Sequence, residues 1–185
     1  MPKRRVSIAA EEEIKRDTMY REVGAFVFQF SQLEFTIRAK LSNALKLKKE
    51  QFEAVVGPYD FAVLCNVTKI ILSQKYPEKK GKVEEVFEKC RGLNTDRVRI
   101  VHGLWTVDHL GSRAWHIGRN NLKGQQFFAD ADALQRLTAN AKRYMIELIS
   151  LNRNNIGPTR IIGVEIMDAK PKRRQAPVKE PDETG

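Results

Sequence analysis

Apolar residues recur at intervals of three and four along most of this chain, the spacing of helices that each bury one face. Val23, Val27, Phe30, Leu33, Ile37, Leu41 and Leu45 mark the first, predicted from Ile8 to about Leu47. Ser7 is its candidate N-cap, and Glu11, Glu12 and Glu13 suit its positive end. A short helix from Glu50 to Val56 stops at Gly57-Pro58, a strong break. A third, from about Tyr59 to Lys75, turns Phe61, Leu64, Cys65, Thr68, Ile71 and Leu72 inward and ends before Pro77. The fourth runs from about Lys79 to Leu104 on Val83, Val86, Phe87, Cys90, Leu93, Ile100, Val101 and Leu104. The period then drops to two. Trp105, Val107 and His109 alternate with polar neighbours, as do Trp115 and Ile117, and Gly111-Ser112 between them suits a tight hairpin turn. A third short strand is expected over Leu122 to Phe128. The last helix starts near Asp130, a candidate N-cap, and reaches about Asn152 with Leu134, Leu137, Ala141, Tyr144, Met145, Leu148 and Leu151 inward. The expected architecture is mainly α: an up-and-down bundle of four to five helices, with a small β-hairpin or short sheet after the fourth.

Composition adds boundaries. A chain of 185 residues, 42% hydrophobic, suits one compact domain with loose ends. Residues 1–7 form a basic N-terminus expected to be disordered, 8–155 the helical domain, and 156–185 a C-terminal extension. Within the extension, residues 161–166 have strand character, and from Ala169 prolines and mixed charges predict disorder. No apolar run approaches a membrane span, and Met1-Pro2-Lys3-Arg4-Arg5 lacks the apolar stretch of a secretory signal, so a cytoplasmic protein is expected. Cys65 and Cys90 sit among apolar neighbours and are expected as buried free thiols. No Cys/His spacing suggests a metal, and no phosphate-binding glycine loop suggests a nucleotide cofactor.

The formal net charge is +10. Lys3, Arg4 and Arg5 carry three of these charges, and residues 169–185 hold five basic and three acidic groups, so the body remains basic. Such a body favours polyanions through counterion release, although the same charges also serve a merely solvated surface. The cluster Lys75, Lys79, Lys80 and Lys82 reads as a solvated turn rather than a phosphate site. His109 and His116 read as exposed strand residues.

The candidate chemistry lies near the end of the fourth helix, in Asp96-Arg97-Val98-Arg99-Ile100-Val101-His102-Gly103-Leu104-Trp105. Arg97 occupies a beat of the buried stripe where an apolar residue is expected, and His102 lies on its margin. A buried guanidinium needs a carboxylate, a phosphate or an open cleft. Positions five apart on a helix differ by about 140° and about 7.5 Å, so the two side chains do not stack. A second copy packed against this helix would bring two arginines and two histidines together. The bland alternative is a helix C-terminus with a histidine near its dipole and an arginine reaching to the surface. Glu34, beside the inward stripe of the first helix, either pairs with Arg97 across the interface or points to water.

Arg-x4-His followed by Gly-Leu-Trp, together with Ser31-Gln32-Leu33-Glu34 on an upstream helix, resembles the HEPN superfamily (higher eukaryotes and prokaryotes nucleotide-binding) over about residues 20 to 150. Many members are metal-independent ribonucleases whose dimers share one cleft between two such motifs. The resemblance implies Arg97 and His102 as catalytic residues, with Asn94, Asp96 and Glu34 in support and Arg91 and Arg99 as RNA contacts. It also implies a homodimer, RNA as partner, no cofactor, and a role in phage defence or a toxin–antitoxin pair with an antitoxin protein. The family usually places a polar residue after the arginine, where this chain has Val98. Three readings follow: an endoribonuclease leaving 2′,3′-cyclic phosphates, a non-catalytic dimer that binds RNA, a nucleotide or a protein, and a structural helical dimer.

Overall fold

The computed structural model describes residues 8–108, 111–117, 124–126 and 131–151. Five helices carry it: α1 (Ile8–Leu45), α2 (Lys49–Val56), α3 (Phe61–Lys75), α4 (Lys80–His102) and α5 (Ala131–Ser150), with a single 3-10 turn at Pro77–Lys79. The chain is mainly helical, as the periodicity predicts. Chain direction alternates, with α2 as a short return leg. Phe30 meets Phe61 at the start of α3, with ring centroids 4.5 Å apart, and the Lys75 ammonium at its end reaches the Ala44 carbonyl. These contacts set α3 parallel to α1. Gln29 lies against Met145 and Lys40 against Ile149, so α5 runs the same way. Only α4 among the long helices runs against them.

The ends of the helices have local causes. Asp60 caps α3, its Oδ1 accepting from the Val63 N–H at 2.8 Å, which moves the start from the expected Tyr59 to Phe61. At the end of α1, Lys46 adopts φ 54°, the Leu47 N–H donates to the Ser42 carbonyl at 3.0 Å, and the Lys46 N–H donates to Asn43 at 3.3 Å. This paired closure is a Schellman termination, which usually recruits glycine to the left-handed position. The fourth helix ends at His102, two residues before the expected Leu104. Gly103 is extended, and the Trp105 indole N–H donates to the Ile100 carbonyl at 2.9 Å, turning the chain into the sheet.

The sheet has three antiparallel strands in the order β1 (Leu104–Asp108), β2 (Gly111–Ile117), β3 (Gly124–Gln126). Gly111 and Ser112 pair with Asp108 and Val107, so they open β2 rather than form the turn. Residues 109–110, between the two strands, lie outside the described residues. Of the third strand expected over Leu122–Phe128, β3 is the part among the described residues. His109, the caps Ser7 and Asp130, the strand expected at 161–166 and both expected disordered ends also lie outside the described residues.

The core fills the space between the helices: Phe26, Phe30, Leu33, Ile37 and Leu41 of α1, Leu64 and Leu72 of α3, Phe87 and Ile100 of α4, and Leu134 and Leu148 of α5 are buried. Cys65 and Cys90 are free thiols within it. Burial pushes the Cys90 thiol up to about 12 and raises that of Cys65 as well, which keeps both protonated. Four residues expected on inward stripes are exposed. Val27 is 40% exposed, Leu45 39%, Val101 42% and Leu104 55%. Among the described residues, no single helix is long and apolar enough to cross a membrane.

Candidate functional site

Leu93, Cys90 and Ile100 bracket Arg97 on the inner face of α4, and all three are buried. Arg97 itself is only half-buried, because the bundle opens here. A cavity of about 400 Å³ is lined by Phe30 and Glu34 of α1, by Asp60, Phe61 and Ala62 at the head of α3, and by Asn94, Arg97 and Val98 of α4. The guanidinium makes no hydrogen bond or ion pair among the described residues. It therefore meets the third of the three conditions set by its position: an open cleft.

Glu34 shares that cavity without pairing with Arg97. Its carboxylate accepts from Arg38 Nη2 at 2.7 Å, one turn along α1. Arg38 is the functional neighbour that the periodic pattern hides. Its guanidinium also donates to the carbonyls of Val56, Gly57 and Tyr59, at 3.4 Å for Gly57 and 2.9 Å for Tyr59. It thus satisfies carbonyls left open by the break between α2 and α3, and holds the head of α3 against α1. The i,i+4 spacing of Glu34 and Arg38 was a usable signal.

Of the other candidates, Asn94 lines the cavity. Asp96 points elsewhere. Its carboxylate meets Arg99 Nη1 at 3.3 Å, and desolvation raises its pKa against the pull of that arginine. Arg91 is exposed and lies 3.3 Å from Glu88. His102 is in the lining of neither the Arg97 cavity nor the groove described next. His102, the last residue of α4, is exposed.

A second groove, about 710 Å³, runs beside the motif between the first half of α1 and the end of α4. Tyr20, Val23, Val27, Val101 and Trp105 are among its walls. With Phe28 66% and Tyr20 67% exposed, this end of the bundle presents apolar side chains that no described residue covers. Among the described residues, no group of three His, Cys, Asp or Glu side chains is placed to hold a metal ion. Compared with protein-family models, with curated proteins and with solved structures, the chain matches none.

Proposed function

We propose that this chain is a metal-independent endoribonuclease of the HEPN type, active as a homodimer. The observation that carries the reading is Arg97, set on the inner face of α4 with no ion pair among the described residues and open to a cavity. A guanidinium so placed is available to phosphate oxygens, and its planar fork suits the charge that develops on phosphorus as an RNA 2′-hydroxyl attacks. His102, exposed one and a half turns on, supplies the proton transfers, since imidazole works as acid and base near neutrality. The products are a 2′,3′-cyclic phosphate and a 5′-hydroxyl. His102 is exposed and is not in the lining of the Arg97 cavity, so a second copy completes the cleft. The exposed apolar side chains of Tyr20, Val27, Val101 and Leu104, beside the motif, supply a surface for it. The biological setting that fits such an activity is phage defence or a toxin–antitoxin pair, with an antitoxin protein as the further partner.

The test is single-stranded RNA incubated with the protein in the presence of EDTA. Wild type is expected to release 2′,3′-cyclic ends, and Arg97→Ala and His102→Ala are expected to release none. Equal cleavage by all three would rule the assignment out. A second reading, a HEPN-like dimer that binds RNA, a nucleotide or a protein without cutting, is favoured by Val98. It is 39% exposed at the cavity rim, where a polar neighbour of Arg97 is usual in the resembling family. Salt-dependent RNA binding by wild type without cyclic product would select it.

A further inference from the structure

We propose that the end of the bundle remote from Arg97 and His102 is a docking surface for the RNA backbone. The proposal rests on RNA being the partner, and it holds whether or not the RNA is cut.

Two turns meet at this end. One follows α1 and carries Lys46, Lys48 and Lys49; the other joins α3 to α4 and carries Lys75, Lys79, Lys80 and Lys82. They lie far apart in sequence, but Lys75 Nζ donates to the Ala44 carbonyl at 3.2 Å and draws the turns together. Residues 46–49 and 75–82 hold seven lysines and one carboxylate, Glu78, with Glu50 and Glu84 just beyond. The last turn of α5 ends here too, with Lys79 Nζ donating to the Leu151 carbonyl at 2.9 Å.

These lysines divide by what their ammonium groups already do. Lys75 and Lys79 serve carbonyls at helix ends, and both lie 5.9 Å from the centre of the Tyr76 ring between them. Lys80 sits 3.9 Å from Glu84. Lys46, Lys48 and Lys82 are exposed and have no ammonium partner among the described residues. A surface needed only for solubility has no reason to gather like charges, which repel one another.

Lys46 adds an independent observation. It holds the left-handed position of the Schellman termination, φ 54°, where glycine is the usual residue and a side chain is disfavoured. A cation therefore occupies the one place in this turn where the backbone asks for no side chain. Phosphates spaced along a strand would meet the unpaired ammoniums and release counterions. From Lys80 to His102, α4 rises about 33 Å, so one extended strand lying along the bundle would be held at this end and presented to the motif at the other.

The experiment measures binding of a short single-stranded RNA across a series of salt concentrations. It uses full-length His102→Ala protein, so that any cleavage is scored separately. Adding Lys46→Gly, Lys48→Gln and Lys82→Gln should lower the slope of log K against log salt by about 2, near 0.7 for each phosphate no longer neutralised. Lys46→Gly alone should move two readouts in opposite directions. The melting temperature rises by about 2–4 °C, while the slope falls by about 0.7. An unchanged slope in the triple variant overturns the proposal. So does a parent that binds phosphatidylglycerol vesicles but no RNA. Failure of wild type to cleave RNA, with the slope still falling, rejects the nuclease and leaves this surface standing.

Discussion

Glu34 and Arg97 line the same cavity, yet the Glu34 carboxylate is held at 2.7 Å by Arg38. The acid facing the candidate catalytic arginine is thus already neutralised, and among the described residues Arg97 has no hydrogen-bond or ion-pair partner to lose. Removing it takes away no hydrogen bond and strands no buried carboxylate. Arg97→Ala is therefore expected to change unfolding free energy by less than about 1 kcal/mol while abolishing RNA cleavage. Chemical denaturation beside the cleavage assay checks both halves. A loss of several kcal/mol would mean that Arg97 holds the fold together.

Arg38 should behave in the opposite way. One guanidinium satisfies three carbonyls around the α2–α3 break as well as Glu34. Its loss leaves the Gly57 and Tyr59 carbonyls and a half-buried carboxylate without this donor, and the Val56 carbonyl with only the Tyr59 N–H at 3.4 Å. Arg38→Ala is expected to cost about 2–4 kcal/mol. Arg38→Lys should recover only part of this, because an ammonium cannot span the fan of acceptors a guanidinium reaches. The comparison is read from urea midpoints at constant m-value.

In a composite cleft, variants lacking different members of the pair should complement one another. Arg97→Ala and His102→Ala proteins are each expected to be inactive. Mixed under conditions that exchange subunits, they form heterodimers holding one intact arginine and one intact histidine on different chains. Recovery of cleavage on mixing is the expected result. Continued inactivity, with heterodimers demonstrated by mass, would place the whole reaction within one chain's own residues.

Lys40 gives a pH signature. It is 6% exposed, among the described residues its amine reaches only the Ile149 carbonyl at 3.3 Å, and desolvation lowers its pKa from the ordinary 10.5. In the window between the lowered folded value and 10.5, the unfolded chain binds more protons than the folded one. This group's contribution therefore makes stability rise with pH across that window. Lys40→Met should remove that rise and stabilise the protein by about 1 kcal/mol at neutral pH. Denaturation measured at neutral and at alkaline pH tests it; an unaltered pH dependence would show that Lys40 carries no desolvation penalty.

The local pattern was enough to identify five helices, the switch to strands after the fourth, and inner-face residues such as Phe30, Leu33, Ile37, Phe87 and Leu148, all of them buried. Periodicity reports which face of an element is apolar, and that property belongs to neighbouring residues. It does not report where an element outruns its partners. Val27 and Val101 continue their stripes in register but end up exposed, because the bundle opens at that end, and Leu104 falls beyond the end of α4, in β1. The position of the hairpin turn eluded composition for a related reason: Gly111 permits a turn, but pairing with Asp108 makes it part of a strand. The motif was legible as letters, whereas the unpaired state of Arg97 was not. That state depends on Arg38, which takes Glu34 out of play in order to close the loop between α2 and α3. The lysine surface has the same character. Each turn alone reads as ordinary solvated charge, and only the contact of Lys75 with Ala44 sets the two side by side. Charge density in space depends on packing between distant segments, and no window along the chain contains it.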